Sequence, residues 1–337
     1  MAINVKKLVK SAAAGLANQF GQHNKDQTDP KLWVLMYHRI LPRDDIRFNL
    51  EEPGMIVTPE TFSMHMQEIR RYFDVVSLGD WVQRKQQGLP LPAKACAITF
   101  DDGWADNYEY ALPILKATNT PATLFAVAEK IGTNFQFWPN TVLALLLNGR
   151  SAELNRHPLF AQVGAEIDAM HKTIDREYAA AYIARLKSFS DNEIFSALNE
   201  IHSTELLAGK LPNALMNWDQ LKEMRDSGLV AIGSHTCNHM RLSDALSAEQ
   251  LQHEIKNSKE VLEVKLGGSV DLFCFPNGDY NEATLNLVTE TYVAAVTTKR
   301  GIIDADAAKL HELTRVAIHE EISNSRRLFG ARLSGLL

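Results

Sequence analysis

Short apolar runs recur along the chain from Lys31 onward, and between them apolar residues return every three or four positions. Trp33-Val34-Leu35-Met36-Tyr37 reads as a buried strand, Ala95 to Phe100 as a second and Ala122 to Val127 as a third. Later runs at Leu229–Ile232, Leu272–Phe275, Val293–Val296 and Arg315–Ile318 extend the series. The intervening segments carry helical spacing. Thr58-Pro59 opens one helix, with proline in its first turn and a stripe of Phe62, Met66, Ile69 and Phe73. Another places Tyr108, Ala111, Leu112 and Leu115 on one face, and others are predicted at about 218–227, 248–264 and 281–291. Ser247 followed by Gln250 supplies a capping box for the middle one of these three. Strand and helix alternating in this way predict a parallel α/β architecture.

Two stretches depart from the alternation. From about 138 to 215 the pattern is helix-rich and strand-poor, with Glu177–Phe189 the clearest helix. The strand series resumes afterwards, so this is expected to be a helical insertion, serving as a lid or an interaction surface, within a domain spanning 31–337. Residues 1–30 form an N-terminal helical or disordered segment. Its lysines, Lys6, Lys7 and Lys10, precede the small-residue run Ser11 to Ala17, which is too weakly hydrophobic for a secretory signal. An amphipathic helix over residues 1–22 that touches a membrane surface or packs on the domain is expected, with disorder as the alternative.

Composition narrows the class. The chain has 337 residues, 45% hydrophobic and 23% charged, which suits one large α/β domain with an insertion. A net charge of −6 lacks the basic footprint of a nucleic-acid binder. No window approaches the ~20 apolar residues of a membrane span. Three cysteines, Cys96, Cys237 and Cys274, are an odd number without Cys-x-x-Cys spacing, so a disulfide framework is not expected. A reducing, cytoplasmic setting is expected, with residues 1–22 as the candidate for peripheral membrane contact.

Five strand ends deliver residues of catalytic type: His38, the Asp101/Asp102 pair, Ser234-His235, Pro276-Asn277 and His319. In parallel sheets and barrels the reaction centre lies at the carboxyl ends of the strands. Each piece has an ordinary reading, since Asp-Asp-Gly can be a turn and a histidine pair can decorate a solvated helix. Their convergence at one edge gives them weight. His235 and His239 are four apart, so on a helical turn both imidazoles would face one side. Two imidazoles and one carboxylate leave a fourth metal position for water, the pattern of a catalytic site, and the second carboxylate is free to act as base.

Thr99-Phe100-Asp101-Asp102-Gly103 and His235-Thr236-Cys237-Asn238-His239 resemble the T-F-D-D-G and H-[ST]-x-x-H motifs of the polysaccharide deacetylases, the NodB-type carbohydrate esterases. The likeness runs from Val34–Arg39 through Arg315–Ile318 and is poorest in the helical insertion. It implies a (β/α) barrel-like fold, incomplete or distorted. It also implies one divalent metal, zinc foremost with cobalt, nickel or iron open, held by Asp102, His235 and His239, and Asp101 as general base. Pro276-Asn277 would flank the oxyanion. The family's third motif, R-x-P-Y, is here Cys274-Phe275-Pro276-Asn277, without the arginine and tyrosine, and Arg315 is the candidate replacement. His38 in its Tyr-His-Arg context is preferred over His319 as the general acid. Trp138 is a candidate for stacking on a sugar ring, or a core anchor.

The expected activity is removal of an N-acyl group, acetyl foremost, from an amino sugar in a polysaccharide or a lipid- or nucleotide-linked glycan. The alternatives are a silent carbohydrate-binding or scaffold protein, and a metal amidase for non-sugar amides. Cys237 is expected to pack away from the metal. His65, His157, His171, His202, His253 and His311 are expected mostly on solvated faces.

Overall fold

The structure is a computed structural model that describes residues 5–169, 173–243 and 246–336, with side chains from residue 13 onward. His171 lies outside the described residues. Among the described residues seven parallel strands close a barrel. They are β1 (Lys31–Tyr37), β2 (Lys94–Phe100), β3 (Ala122–Ala126), β4 (Val230–Ser234), β5 (Leu272–Cys274), β6 (Ala294–Arg300) and β7 (Leu313–Ala317). β1 makes the closure. It pairs with β2 along its whole length, Lys31 opposite Lys94 through Tyr37 opposite Phe100, and on its other edge with β7, Leu35 opposite Val316. The expected incompleteness takes the form of seven strands around a closed ring. Short extensions at Asp74–Val75 and Ile303–Asp304 pair with β2 and β1 outside the ring.

Alternation along each strand sorts side chains into two layers. Trp33, Leu35 and Tyr37 of β1 and Cys96, Ile98 and Phe100 of β2 pack with Phe62, Met66 and Ile69 of the helix α1 (Pro59–Tyr72) in one buried cluster. The other set, including Leu32, Val34, Ala95, Ala97, Phe125, Leu272 and Cys274, meets across the barrel. Space inside is tight. A Cβ at Gly233 would lie 2.5 Å from the Phe125 ring, so glycine is needed there for the two strands to stay paired.

Between β3 and β4 the chain leaves the barrel and forms a helical layer. Its principal helices are α2 (Trp138–Leu147), α3 (Pro158–Asp168), α4 (Arg176–Leu186) and α5 (Asp191–Glu200). They bury an apolar cluster of their own around Val142, Leu145, Phe160, Tyr182 and Ile194, separate from that of the barrel. Arg241 fastens this layer to the barrel mouth. Its side chain and its own N–H both donate to the buried Asp191, and its guanidinium also reaches the carbonyls of Lys187 and Phe189.

The N-terminal segment is helical over Val5–Phe20 and packs Ala14 and Ala17 on Ala331 of the last helix, Arg326–Leu333, leaving Leu16 and Phe20 exposed. No helix of the described residues is long and apolar enough to cross a membrane. One expectation fails at His65, which is fully buried. Its ring stacks on Phe329 and hydrogen-bonds Tyr37 and the Ser323 carbonyl. The helix expected at 248–264 runs to Leu266, but its middle, His253–Asn257, widens into a π-turn.

Candidate active site

Each reactive side chain follows the carboxyl end of a barrel strand, where the backbone leaves the ladder and its last residues are free to turn inward. Asp101 continues the inward-facing series of β2. Its carboxylate is 2% exposed and takes a bidentate pair from Arg315 of β7, at 2.7 and 2.8 Å. Arg315 is itself fixed from three further sides: it donates to the Thr297 carbonyl, to the Thr99 hydroxyl and, at 3.2 Å, to Cys274 Sγ. Burial alone would raise the Asp101 carboxyl. The Arg315 guanidinium outweighs it and holds the pKa below the usual carboxylate value. His38, directly after β1, brings its Nε2 to 3.7 Å from Asp101 Oδ2.

Asp102 turns the other way, with φ +78°. Its Oδ1 lies 3.3 Å from His235 Nε2 and 3.4 Å from His239 Nε2. Its Oδ2 accepts from Trp104 Nε1 at 2.8 Å. Burial opposes ionisation here too, and the two imidazoles lower the carboxyl well below its ordinary value. His235 Nδ1 donates to the Cys274 carbonyl at 2.8 Å, which leaves Nε2 as the lone-pair nitrogen facing Asp102. Burial disfavours a cation at His235, but Cys274 and Asp102 beside it raise its pKa well above the ordinary value. The His239 ring packs edge-on against Phe137 and His235, both with centroids 4.9 Å away.

The two histidines do not share a helical turn. Residues 235–240 form an irregular loop, and left-handed conformations at Thr236 (φ +68°) and His239 (φ +61°) fold it back so that the rings meet. The Thr236 hydroxyl caps the fold by accepting from the His239 N–H at 2.9 Å. Asn277 is left-handed as well, at φ +53°. Four of the six non-glycine residues with positive φ among those described are therefore in or beside this site, where backbone strain tends to concentrate.

These groups line a cleft of about 230 Å³. His38, Asp101, Asp102, His235, His239 and Asn277 form its floor, and Trp138 lines it from the insertion. Trp138 is 7% exposed, with its indole N–H bonded to Asp191. Pro276 opens the short turn that carries Asn277 and is buried beneath it. His319 is not among the lining residues. Its Nδ1 bonds Glu321 at 2.7 Å just past β7. One oxygen and two nitrogens from Asp102, His235 and His239 lie within 4.8 Å of one another; Asp102 and His235 are each held from behind by a hydrogen bond that leaves the ligand atom free, and the His239 ring is held by its packing on Phe137. Such a donor set fits a divalent metal.

Residues far apart in sequence complete the cleft. Glu52 lines it, and burial pushes its carboxyl up to about 7, partly countered by Lys187 on the opposite wall. Glu51, Asp106 and Arg39 form a buried ion triad beneath that wall, with Arg39 donating to both carboxylates and Asn140 of α2 donating to Glu51. Asn107 holds the His38 carbonyl at 2.8 Å. The triad and the Glu52–Lys187 pair were not among the sequence candidates. The adjacent Glu51-Glu52 pair and the arginine of Tyr-His-Arg were the only signals for them.

A (β/α) barrel with carboxylates and imidazoles gathered at its mouth defines a recognisable class, and the comparisons place this chain within it. The sequence matches the polysaccharide deacetylase family over residues 88–159 and 190–296, more than half of its length. The chain belongs to the polysaccharide deacetylase family. The unmatched gap falls inside the helical insertion. A Bacillus subtilis (strain 168) protein with the name "Putative polysaccharide deacetylase YxkH" is 24% identical over 93% of this chain and 79% of its own length. The poly-β-1,6-N-acetyl-D-glucosamine N-deacetylase of Staphylococcus epidermidis is 25% identical over 58% of this chain and 69% of its own. Among solved structures, the Streptococcus pyogenes deacetylase PplD in complex with acetate shares the fold at TM-score 0.59 and 21% identity, covering 92% of this chain and all of that one. IcaB from Ammonifex degensii does so at 0.57 and 18%, covering 90% and 98%.

Proposed function

We propose that this chain hydrolyses the N-acyl group, acetyl foremost, of an amino sugar within a glycan, with a divalent metal held by Asp102, His235 and His239. The observation that carries this reading is the side-by-side placement of two differently committed carboxylates. Asp102 faces two imidazole nitrogens at 3.3 and 3.4 Å, and Asp101, its neighbour in sequence, faces an arginine instead. Zinc, or cobalt, nickel or iron with the same donors, supplies Lewis-acid polarisation of the amide carbonyl and a more acidic water when bound.

The chain's own groups account for the proton movements. Asp101, kept ionised by Arg315, takes the proton of the attacking water as its oxygen bonds to the acyl carbon. Arg315 touches no substrate and acts as a positioning residue. The Pro276–Asn277 turn flanks the developing oxyanion. His38, at 19% side-chain exposure and beside Asp101, donates a proton to the sugar nitrogen as the C–N bond breaks, releasing the free amine and the carboxylic acid. His319 is bonded to Glu321 and does not line the cleft, so the acid role falls to His38. Trp138 and Phe137 supply apolar walls for the sugar ring.

The test combines metal content with acetate release. Purified wild type is expected to hold metal and to release acetate from β-1,6-linked N-acetylglucosamine oligomers, while His239→Ala loses both. Acetate release from simple non-sugar amides but from no sugar would replace the reading with a general amidase. Full activity in His239→Ala would overturn the ligand set.

A further inference from the structure

Behind the loop that carries His235 and His239 lies a second group of ligand-type side chains with no part in the reaction above. We propose that Glu129, Cys237 and His253 form a second metal site, suited to zinc or another thiophilic divalent ion, that pins this loop to the barrel. One ligand atom from each of the three lies within 4.8 Å of the others. They come from three separate segments. Glu129 follows β3, Cys237 is the middle residue of the histidine loop, and His253 opens the π-turn His253–Asn257.

The positions of the three are fixed before any metal arrives. The Glu129 N–H donates to the Cys237 carbonyl at 3.1 Å, and Cys237 Sγ–H donates to the His253 carbonyl at 3.3 Å. His253 Nε2 is 3.0 Å from Glu129 Oε1. From the same π-turn, Glu254 accepts from both the backbone and the side-chain N–H of Asn238, and the Ala128 N–H donates to the Thr236 carbonyl, so the loop is already braced on both flanks of Cys237. π-Turns inside helices are frequently functional. This one swings His253 toward the loop.

The donors differ in kind from those of the cleft. Thiolate, imidazole and carboxylate select zinc-like ions, and three protein ligands leave room for water. Binding replaces one proton with one metal: the thiol proton goes to solvent, and the ring proton that His253 shares with Glu129 through Nε2 moves to Nδ1. Asn257 Nδ2 lies 3.0 Å from His253 Nδ1. Turning that amide presents its oxygen to an Nδ1–H and frees Nε2 for the metal, the arrangement His235 already has with the Cys274 carbonyl. His253 also lines a groove of about 770 Å³ between barrel and insertion, which gives the ion a path from solvent.

The difference in donors makes the test selective. Cobalt at Asp102, His235 and His239 has only nitrogen and oxygen ligands, and Cys274, the thiol beside His235, lies apart from His253, so thiolate-to-cobalt charge-transfer absorption that His253→Ala removes reports the second site. Wild-type protein loaded with cobalt is expected to show that absorption and to bind two metals per chain. His253→Ala and Glu129→Ala, both changes at partly or fully exposed positions, are expected to abolish or sharply weaken the absorption, remove one equivalent and leave the other. Cys237→Ser should abolish the absorption as well, but Cys237 is buried, so the two surface variants carry the decision. No charge-transfer absorption in wild type, or absorption that survives His253→Ala, overturns the proposal. Absorption that depends on His253 in a protein binding only one metal upholds this site and counts against the catalytic one.

Discussion

Replacing Arg315 with methionine removes the counter-charge of a carboxylate that is 2% exposed, and its effect can be sized from the geometry. The guanidinium is fully buried and makes both bonds of a bidentate pair, at 2.7 and 2.8 Å, with Asp101. Breaking a buried pair from one side costs about 3–5 kcal/mol, because the remaining charge is left uncompensated. For 337 residues the unfolding entropy is about 0.7 kcal/mol/K, so Tm should fall by about 4–7 °C. Adding Asp101→Asn removes the orphan charge. The double variant should regain about 2 kcal/mol or more over Arg315→Met, short of full recovery because the Thr297 carbonyl has lost its donor. The assay is thermal and urea unfolding of wild type, both single variants and the double, in excess chelator so that metal binding adds no stability of its own. An Arg315→Met protein within 1 kcal/mol of wild type, or a double variant no more stable than that single one, would refute the argument.

Three further outcomes are expected. Trp104→Phe deletes the donor to Asp102 Oδ2 while keeping an aromatic ring, and should weaken metal affinity by about 10–100-fold in a chelator competition; unchanged affinity would show that this bond does not orient the ligand. Burial lowers the pKa values of His65 and His23 to about 4, below the ordinary 6.5, so the unfolded chain takes up protons first. Stability present above pH 6.5 should therefore drain away as pH falls toward 4, by up to about 3 kcal/mol per histidine, and the urea midpoint should depend less on pH in His65→Gln. Asp191→Ala leaves the Trp138 indole N–H without its acceptor and removes the carboxylate partner of Arg241, so limited proteolysis should cut the 138–215 layer faster while the barrel resists; equal cutting rates would show that other contacts hold the layer.

The strands were legible because each is a short apolar run bounded by polar helices, and the strand ends followed directly. The polar residues of the cleft were legible for the same reason, since His38, Asp101, Asp102 and His235 all sit at or just past such ends. What spacing could not give was backbone conformation. Two histidines spaced four apart describe a helical turn and a left-handed loop equally well, and only the positive φ at Thr236 and His239 distinguishes them. His65 was misread because it lies three residues after Phe62, on the margin of the buried stripe, where an imidazole can turn either way. The helix's contact with Tyr37 and Phe329 decides it, and neither residue is near in sequence. Glu52 and Lys187 line the same cleft from segments 135 positions apart, a juxtaposition created by how the insertion folds back.

The closure of the barrel through β1 bears on how the molecule is made. One edge of that strand is matched by β2 once residue 100 has emerged, but the other waits for β7, which begins at Leu313. At ~5–20 residues per second the ribosome needs about 10–40 s to cover that distance. Throughout that interval the strand Leu32-Trp33-Val34-Leu35-Met36 offers an unpaired ladder of backbone donors and acceptors to any other chain nearby. A strand edge open to mispairing during synthesis, and a ring that can close only once β7 has emerged, are therefore consequences of having the first strand of the barrel wait for the last.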